Sequence, residues 1–315
     1  MLAYTVRRIL ATIPVLFVVT IIIFLLLHLG PSDPAAVIAG DFAQPEHVER
    51  IRAQLGLDRP LHIQYFDWIG SVLQGDLGTS IFNDRPVSAL VLQRVEPTLA
   101  LTISTITFAV LVGVPIGVLA AWKVGTWVDR SVMVLAVAGF SLPVFVLGYL
   151  LVFTFALGFK LLPVQGYASL SEGFWPFFRS LVLPTLSLGM IYVALIARMT
   201  RASVIEVLNQ DYIRTARAKG LTTPPILLIH ALKNAAIPII TTIGLGIALL
   251  ISGVVVTETV FALPGIGRLT VDAIVRKDYP VIQGVLLIFT VVYVLINLLI
   301  DLSYSLFDPR IRYQN

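Results

Sequence analysis

An all-α membrane protein with six transmembrane helices is predicted by three observations. Apolar residues make up 57% of the 315-residue chain and charged residues only 13%, against roughly 25% charged in soluble domains. Six stretches are apolar enough to cross a bilayer, which takes about 20 helical residues each. Lys and Arg gather on one side of the topology those stretches define. There are no cysteines, which removes disulfides, thiolate catalysis and cysteine metal sites. A net charge of +4 is too small to suggest a nucleic-acid partner.

The first span runs from Ile9 to Leu29 behind Arg7 and Arg8. Its apolar run exceeds the 7–15 residues of a signal h-region and lacks a small-x-small cleavage site, so a retained span is expected. Gly30–Glu96 follows and is too long for a simple loop. Two amphipathic helices are expected in it. One lies in "PEHVERIRAQLGL", with Val48, Ile51 and Leu55 in step, and one in "LHIQYFDWIGSVL", with Phe66, Ile69 and Leu73 in step. "GDLG" and "NDRP" read as turns. The segment forms a small helical external cap, and 1–96, the first span plus cap, is expected to be one domain.

The remaining spans are expected within a second domain, 97–315. They lie near Thr98–Trp122, Ser131–Leu157, Leu181–Met199, Ile237–Thr257 and Val281–Ser303. The fourth is the weakest, because Pro184, Ser187 and Gly189 dilute it. "GVPIG", Gly113 to Gly117, has the G-x-x-x-G spacing that favours close helix packing.

With both termini placed in the cytoplasm, the inside segments are 1–8, 122–130, 198–235 and 304–315. They hold 12 of the 22 Lys and Arg residues, at about twice the density of the outer segments, in keeping with the positive-inside rule. The inside cations include Arg7, Arg8, Lys123, Arg130, Arg198, Arg310 and Arg312. The largest group surrounds "DYIRTARAKGLTTPPILLIHALKNAA", residues 211–236. There Arg201, just upstream, joins Arg214, Arg217, Lys219 and Lys233, and Asp211 is the one acid within 211–236.

The spans are nearly empty of ionisable groups, which are expensive there and usually functional. His28, Arg198, Glu258 and Asp301 fall at span ends. No mid-span relay is present to couple an ion gradient, which disfavours, without excluding, an ion-coupled secondary transporter. His28, His47, His62 and His230 form no metal-binding spacing, so no metal site is expected. No G-x-S-x-G elbow and no G-x-x-x-x-G-K-[ST] loop occurs. Uncharged polar side chains do occur in the spans. Ser141, Ser187, Tyr192, Thr242 and Asn297 are candidates to line a translocation path, or to hydrogen-bond between packed helices.

The 211–236 insert has its own punctuation. Asp211–Lys219 suits a short helix, with Leu208, Tyr212 and Ala216 on one stripe and Arg214 and Arg217 on another. Gly220 is placed to close it. Thr223 as N-cap and Pro224 at the first position would start a second helix. Pro238 would bend its junction with the fifth span. A helical elbow projecting from the membrane is the expected result.

This insert resembles the cytoplasmic "EAA" loop of binding-protein-dependent ABC importer permeases. That loop reads E-A-A, three residues, then Gly. Aligned on Gly220, its first three positions are Arg214, Thr215 and Ala216, so only Ala216 and Gly220 match and the acidic position is occupied by Arg214. "DYIRTARAKGL" with "HALKNAAIPIIT" looks very like the version in the dipeptide/oligopeptide branch, which also takes nickel complexes and opines. "RRILATIPVLFVVTIIIFLLLHLGPSDPA", "LGLDRPLHIQYFDWI", "GDLGTSI", "VLPTLSLG", "VVTETVFALPGIGRL", "DYPVIQG" and "DPRIRY" resemble its first, B-type permease subunit over essentially the whole chain.

The resemblance implies a type I importer fold in a bacterial inner membrane. It implies a heterodimer with a second permease, two ABC ATPase subunits that bind the ATP and Mg, and an extracytoplasmic substrate-binding protein. This chain would then bind no cofactor itself. Asp211, Tyr212, Arg214, Thr215, Ala216, Arg217, Ala218, Lys219 and Gly220 would form the ATPase-coupling element. Tyr212 and Ala216 would enter an apolar groove of the ATPase, and Arg214 or Arg217 would meet acidic or carbonyl groups. Di- or oligopeptides are the expected cargo, with glutathione, nickel complexes, opines and oligosaccharides as the branch's other substrates.

Overall fold

Apolar runs become helices because a backbone in hydrocarbon must satisfy its own hydrogen bonds. The computed structural model describes residues 2–29, 33–39, 44–54 and 56–307. In chain order the helices are α1 (Leu2–Leu29), α2 (Pro34–Ala39), α3 (Pro45–Gln54), α4 (Leu61–Leu73), α5 (Val87–Leu92), α6 (Val95–Trp122), α7 (Trp127–Ser141) and α8 (Val144–Leu151). After them come α9 (Phe174–Leu208), α10 (Asp211–Ala218), α11 (Thr223–Pro225), α12 (Leu232–Asn234), α13 (Ala236–Val260), α14 (Ile266–Arg276) and α15 (Tyr279–Phe307). Wider π-type turns, Val152–Gly158 and Ile226–Ala231, extend α8 and join α11 to α12. Leu55 and Asp308–Tyr313, with Arg310 and Arg312, lie outside the described residues, as do the side chains of Arg7, His28, Ser252 and Asp301.

Four helical stretches can cross a membrane unaided: Arg8–Leu26, Val95–Trp122, Phe174–Leu208 and Tyr279–Ile300. Two more qualify as bent pairs, Trp127–Ser141 with Val144–Gly158 and Thr223–Asn234 with Ala236–Leu250. The third span, expected near Ser131–Leu157, is therefore a broken one, since its halves meet at 102°. Pro143 is the cause. Its ring clashes with an α-helical residue before it, and Leu142 is extended, at φ −84° and ψ 126°. The second pair bends by 61°, at Ala235. Pro238 supplies no N–H to the Asn234 carbonyl, four residues back, and its ring crowds that carbonyl. The expected bend is present.

Two compact units are distinguished by internal contacts, Glu96–Gly267 with Ile296 onward, and Leu2–Val95 with Arg268–Leu295. In the first, α9 is central. Leu183, Leu188, Tyr192 and Ile196 are buried with Leu101 and Ala109 of α6 and Leu250 and Val254 of α13. The residues that dilute its hydropathy are packing residues. A Cβ on Gly189 would lie 2.6 Å from the Phe108 ring, and Ser187 Oγ donates to the Pro184 carbonyl at 2.9 Å. "GVPIG" behaves as its spacing suggests. A Cβ on Gly113 would stand 3.1 Å from the Val193 carbonyl, and one on Gly117 2.6 Å from that of Ala197, so the two glycines let α6 approach α9.

In the second unit, α4 turns a different face from the expected one. Phe66 and Leu73 are 65% and 82% exposed. Tyr65 is buried instead, its hydroxyl 2.9 Å from Thr20 Oγ1 and its ring edge-on to Phe17 and Phe24 of α1. Val48 and Ile51 of α3 are half-buried, as their spacing suggests. "GDLGTSI" and "DYPVIQG", about 200 residues apart, meet here. Ser80 Oγ donates to Asp278 Oδ2 at 2.5 Å and the Ile81 amide to Oδ1 at 3.2 Å.

Candidate functional site

Helix α10 is two turns long, and its C-terminal end is closed within itself, whereas Gln210 at its start makes no side-chain cap bond. Asp211 sits in its first turn, where a carboxylate complements the helix dipole. Gly220 adopts φ +86°, the left-handed conformation that glycine reaches without Cβ strain. The Gly220 amide donates to the Arg217 carbonyl at 2.9 Å and the Leu221 amide to the Ala216 carbonyl at 3.2 Å. This pair of bonds is a Schellman closure. The following helix starts one residue earlier than expected, with Thr222 as N-cap and no side-chain cap bond.

The residue that seats α10 is Ile213, fully buried, with half-buried Ala216 one turn on. Tyr212 is 44% exposed. The side of α10 that packs on its own unit is therefore Ile213/Ala216, while Tyr212 of the Leu208/Tyr212/Ala216 stripe stays largely presented. Both stripes carry apolar side chains at helical spacing over only two turns, so periodicity alone does not choose between them. Asp211, Arg214, Thr215, Arg217, Ala218, Lys219 and Gly220 are exposed. Arg214 reaches back to Asp211 at 3.3 Å, and Thr215 Oγ1 donates to the Asp211 carbonyl. Partial burial raises the Tyr212 phenol above its ordinary pKa.

Arg201 does not belong to the unbalanced basic group. Its guanidinium makes a two-pronged ion pair with Asp129 of α7, Nε to Oδ1 at 2.5 Å and Nη2 to Oδ2 at 2.8 Å. Asp129 is buried and also accepts the Gly125 amide at 3.0 Å. Sequence reasoning missed this pairing because 72 residues separate the partners.

Helix α9 is about 50 Å long at 1.5 Å per residue, and a second polar cluster occupies its other end. Glu96 accepts hydrogen bonds from the Tyr167 hydroxyl, Ser169 Oγ and the Leu170 amide. Nearby, the carboxylate of Glu258 is fully buried. It accepts from Thr98 Oγ1 at 2.6 Å, and Thr98 Oγ1 accepts the Ile266 amide at 2.8 Å. A Cβ on Gly265 would collide with that carboxylate. Glu258, read from sequence as a span-end residue, is thus a joint between α6, α13 and the start of α14.

The five path candidates are placed differently from one another. Ser141 is exposed at the α7–α8 break and donates to the Val137 carbonyl. With Phe140, Ala194 and Arg198 it lines a cleft of about 170 Å³. Ser187 and Thr242 are buried and bonded to their own helices. Tyr192 is buried against Gly246 and Gly253. Asn297 is half-buried on α15. Among the described residues no three His, Asp or Glu side chains converge as a metal site.

Residues 113–313 match the family described as binding-protein-dependent transport system inner membrane component, and residues 1–102 match that family's N-terminal component. A probable peptide ABC transporter permease of Sinorhizobium fredii, y4tP, is 53% identical over 98% of this chain and 99% of its own. The glutathione transport permease GsiC of Salmonella choleraesuis is 45% identical over 100% of both chains. Among solved structures, a chain of the inward-facing MetNI methionine ABC transporter aligns with a TM-score of 0.59. It is 19% identical over 70% of this chain and 97% of that one, a likeness of fold.

Proposed function

Because the chain belongs to the binding-protein-dependent inner-membrane permease family of ABC importers, with the type I importer fold, we propose that it carries di- or oligopeptides, glutathione among them, through a bacterial inner membrane. The multi-pass permease role needs ATPase and substrate-binding partners. The finer reading assigns two separate ATPases, which hold all the ATP and Mg, and a second permease in a heterodimer. This chain then has no ATPase site and no cofactor of its own. Both termini face the cytoplasm.

One observation carries the coupling reading. Helix α10 is closed at Gly220, seated by Ile213 and half-buried Ala216, and otherwise exposed. A two-turn helix gains little stability from propensity alone, so a presented surface, with cations along it, suits capture by a partner. In this reading Asp211–Gly220 is the coupling element. Its ATPase-facing side is formed by Tyr212, Arg214 and Thr215, with Arg214 standing where the wider pattern has an acid. The cap (Gly30–Glu96) meets the binding protein, while Ser141, Ser187, Tyr192, Thr242 and Asn297 face or support the path.

Peptide cargo is supported by the names of two full-length relatives, one a peptide and one a glutathione permease. The test is reconstitution of this chain with its neighbouring permease, ATPases and binding protein in liposomes. ATP-dependent uptake of labelled dipeptides or glutathione is expected, and an ion gradient without ATP gives none. Uptake driven by the gradient with this chain alone would overturn the reading, and a binding protein that ignores peptides would overturn the cargo.

A further inference from the structure

A groove of about 300 Å³ opens where α6 ends beside α10. Trp122, Ile205 and Leu227 give it apolar walls, and Asn209, Arg217 and Thr223 give it polar ones, with no carboxylate among its lining residues. The Arg217 guanidinium has no hydrogen-bond or ion-pair partner among the described residues, whereas Arg214 has Asp211. At the same rim Lys123 Nζ stands 4.2 Å from the centroid of the half-exposed Trp122 ring. Trp122 is the last residue of a membrane-crossing helix, the depth at which tryptophan anchors to the headgroup layer.

We propose that this groove binds an anionic phospholipid. Its phosphate sits at Arg217 with Lys123 beside it, and one acyl chain lies against Ile205 and Leu227. A guanidinium matches phosphate geometry, and the apolar side chains of Ile205 and Leu227 line the same groove. The charge has nothing else in the groove to balance it. Because Arg217 is carried by α10, the lipid would steady that helix in its seat. Only this functional consequence rests on the coupling reading above. The binding itself requires only that the chain be the membrane-embedded permease.

The purified full-length complex is exposed to phosphatidylglycerol or phosphatidylcholine, and retained lipid is read by native mass spectrometry. Preferential retention of phosphatidylglycerol is expected. Arg217→Gln should lower it about fivefold, the worth of one cation near an anionic surface, and Lys123→Gln should lower it less. Arg130→Gln, outside the groove, should leave it unchanged. Equal retention of the two lipids, or full retention by Arg217→Gln, overturns the proposal. So does displacement by excess inorganic phosphate, which would assign the site to a soluble anion. Uptake is then measured in discs with and without phosphatidylglycerol. Wild type should gain from that lipid, and the same stimulation in Arg217→Gln would overturn the link to α10. Absence of uptake from every reconstituted complex would instead count against the importer reading and leave the lipid retention standing.

Discussion

Arg201 and Asp129 are locked face to face, two nitrogens on two oxygens, between the end of α9 that leads to α10 and the first turn of α7. Asp129 is almost wholly enclosed, and Arg201 is about one quarter exposed. Removing one partner strands the other's charge, a loss of about 3 kcal/mol for a buried pair. Asp129→Asn and Arg201→Leu should each lower the thermal inactivation midpoint of the purified complex. The exchange Asp129→Arg with Arg201→Asp should recover part of the loss. Unchanged midpoints in both single variants would show that the pair contributes nothing.

Ile213 fixes α10 to the rest of its unit. Truncating a fully buried isoleucine costs about 2–5 kcal/mol, enough to free a two-turn helix. Ile213→Ala should leave expression and membrane insertion intact and raise protease cleavage between Asn209 and Leu221. Substrate-stimulated ATPase should fall at least tenfold, the effect of about 1.4 kcal/mol. Retention of wild-type cleavage and stimulation would refute this role.

Gly220→Pro deletes the amide that closes α10 and demands a negative φ where the chain holds +86°. Transport should be lost while the protein remains inserted. Gly220→Ala keeps the amide and adds left-handed strain of about 1–2 kcal/mol, so a partial loss is expected. Equal uptake by Gly220→Pro and wild type would remove the closure from the mechanism.

Gly117 stands at a close approach of α6 to the backbone of α9. Gly117→Ala would drive a methyl to 2.6 Å from the Ala197 carbonyl and Thr200 Cβ, for a destabilisation of about 1–3 kcal/mol. Gly70→Ala, with open space around it, should be neutral or slightly stabilising. Detergent melting of the two variants compares them directly. A Gly117→Ala protein as stable as Gly70→Ala would contradict the packing argument.

Thr98→Val removes the hydroxyl that both donates to Glu258 and accepts the Ile266 amide. Leaving these buried partners short of a bond costs about 1–3 kcal/mol, and Thr98→Ser should restore most of it. The check is the melting midpoint of each variant. Equal stability of the valine and serine forms would mean the hydroxyl carries no weight.

What was readable in the sequence follows the range of the forces involved. Hydropathy is local, so every span was legible, and so was the closing role of Gly220, which depends on one residue's backbone. The break in the third span was not singled out, because the apolar run continues through the 102° turn. The fourth span looked weakest for the reason it is central: close helix contact requires Gly189 and Ser187, and these lower hydropathy. The face of α4 was not legible: Tyr65 against Phe66 is chosen by what packs beside it, and the seat of α10 on Ile213 depends in the same way on its neighbours. Pairings such as Arg201 with Asp129 depend on chain folding over 72 residues.

The break at Pro143 has a dielectric consequence. Proline has no amide hydrogen, so the carbonyl of Gly139, four residues earlier, lacks its helical donor at a point well inside an apolar segment. Such a carbonyl cannot face lipid tails unsatisfied. It calls for water or a donor from a neighbouring chain, beside the exposed hydroxyl of Ser141. The break thereby puts two polar groups, the Gly139 carbonyl and the Ser141 hydroxyl, inside an apolar run that an unbroken helix would have kept non-polar.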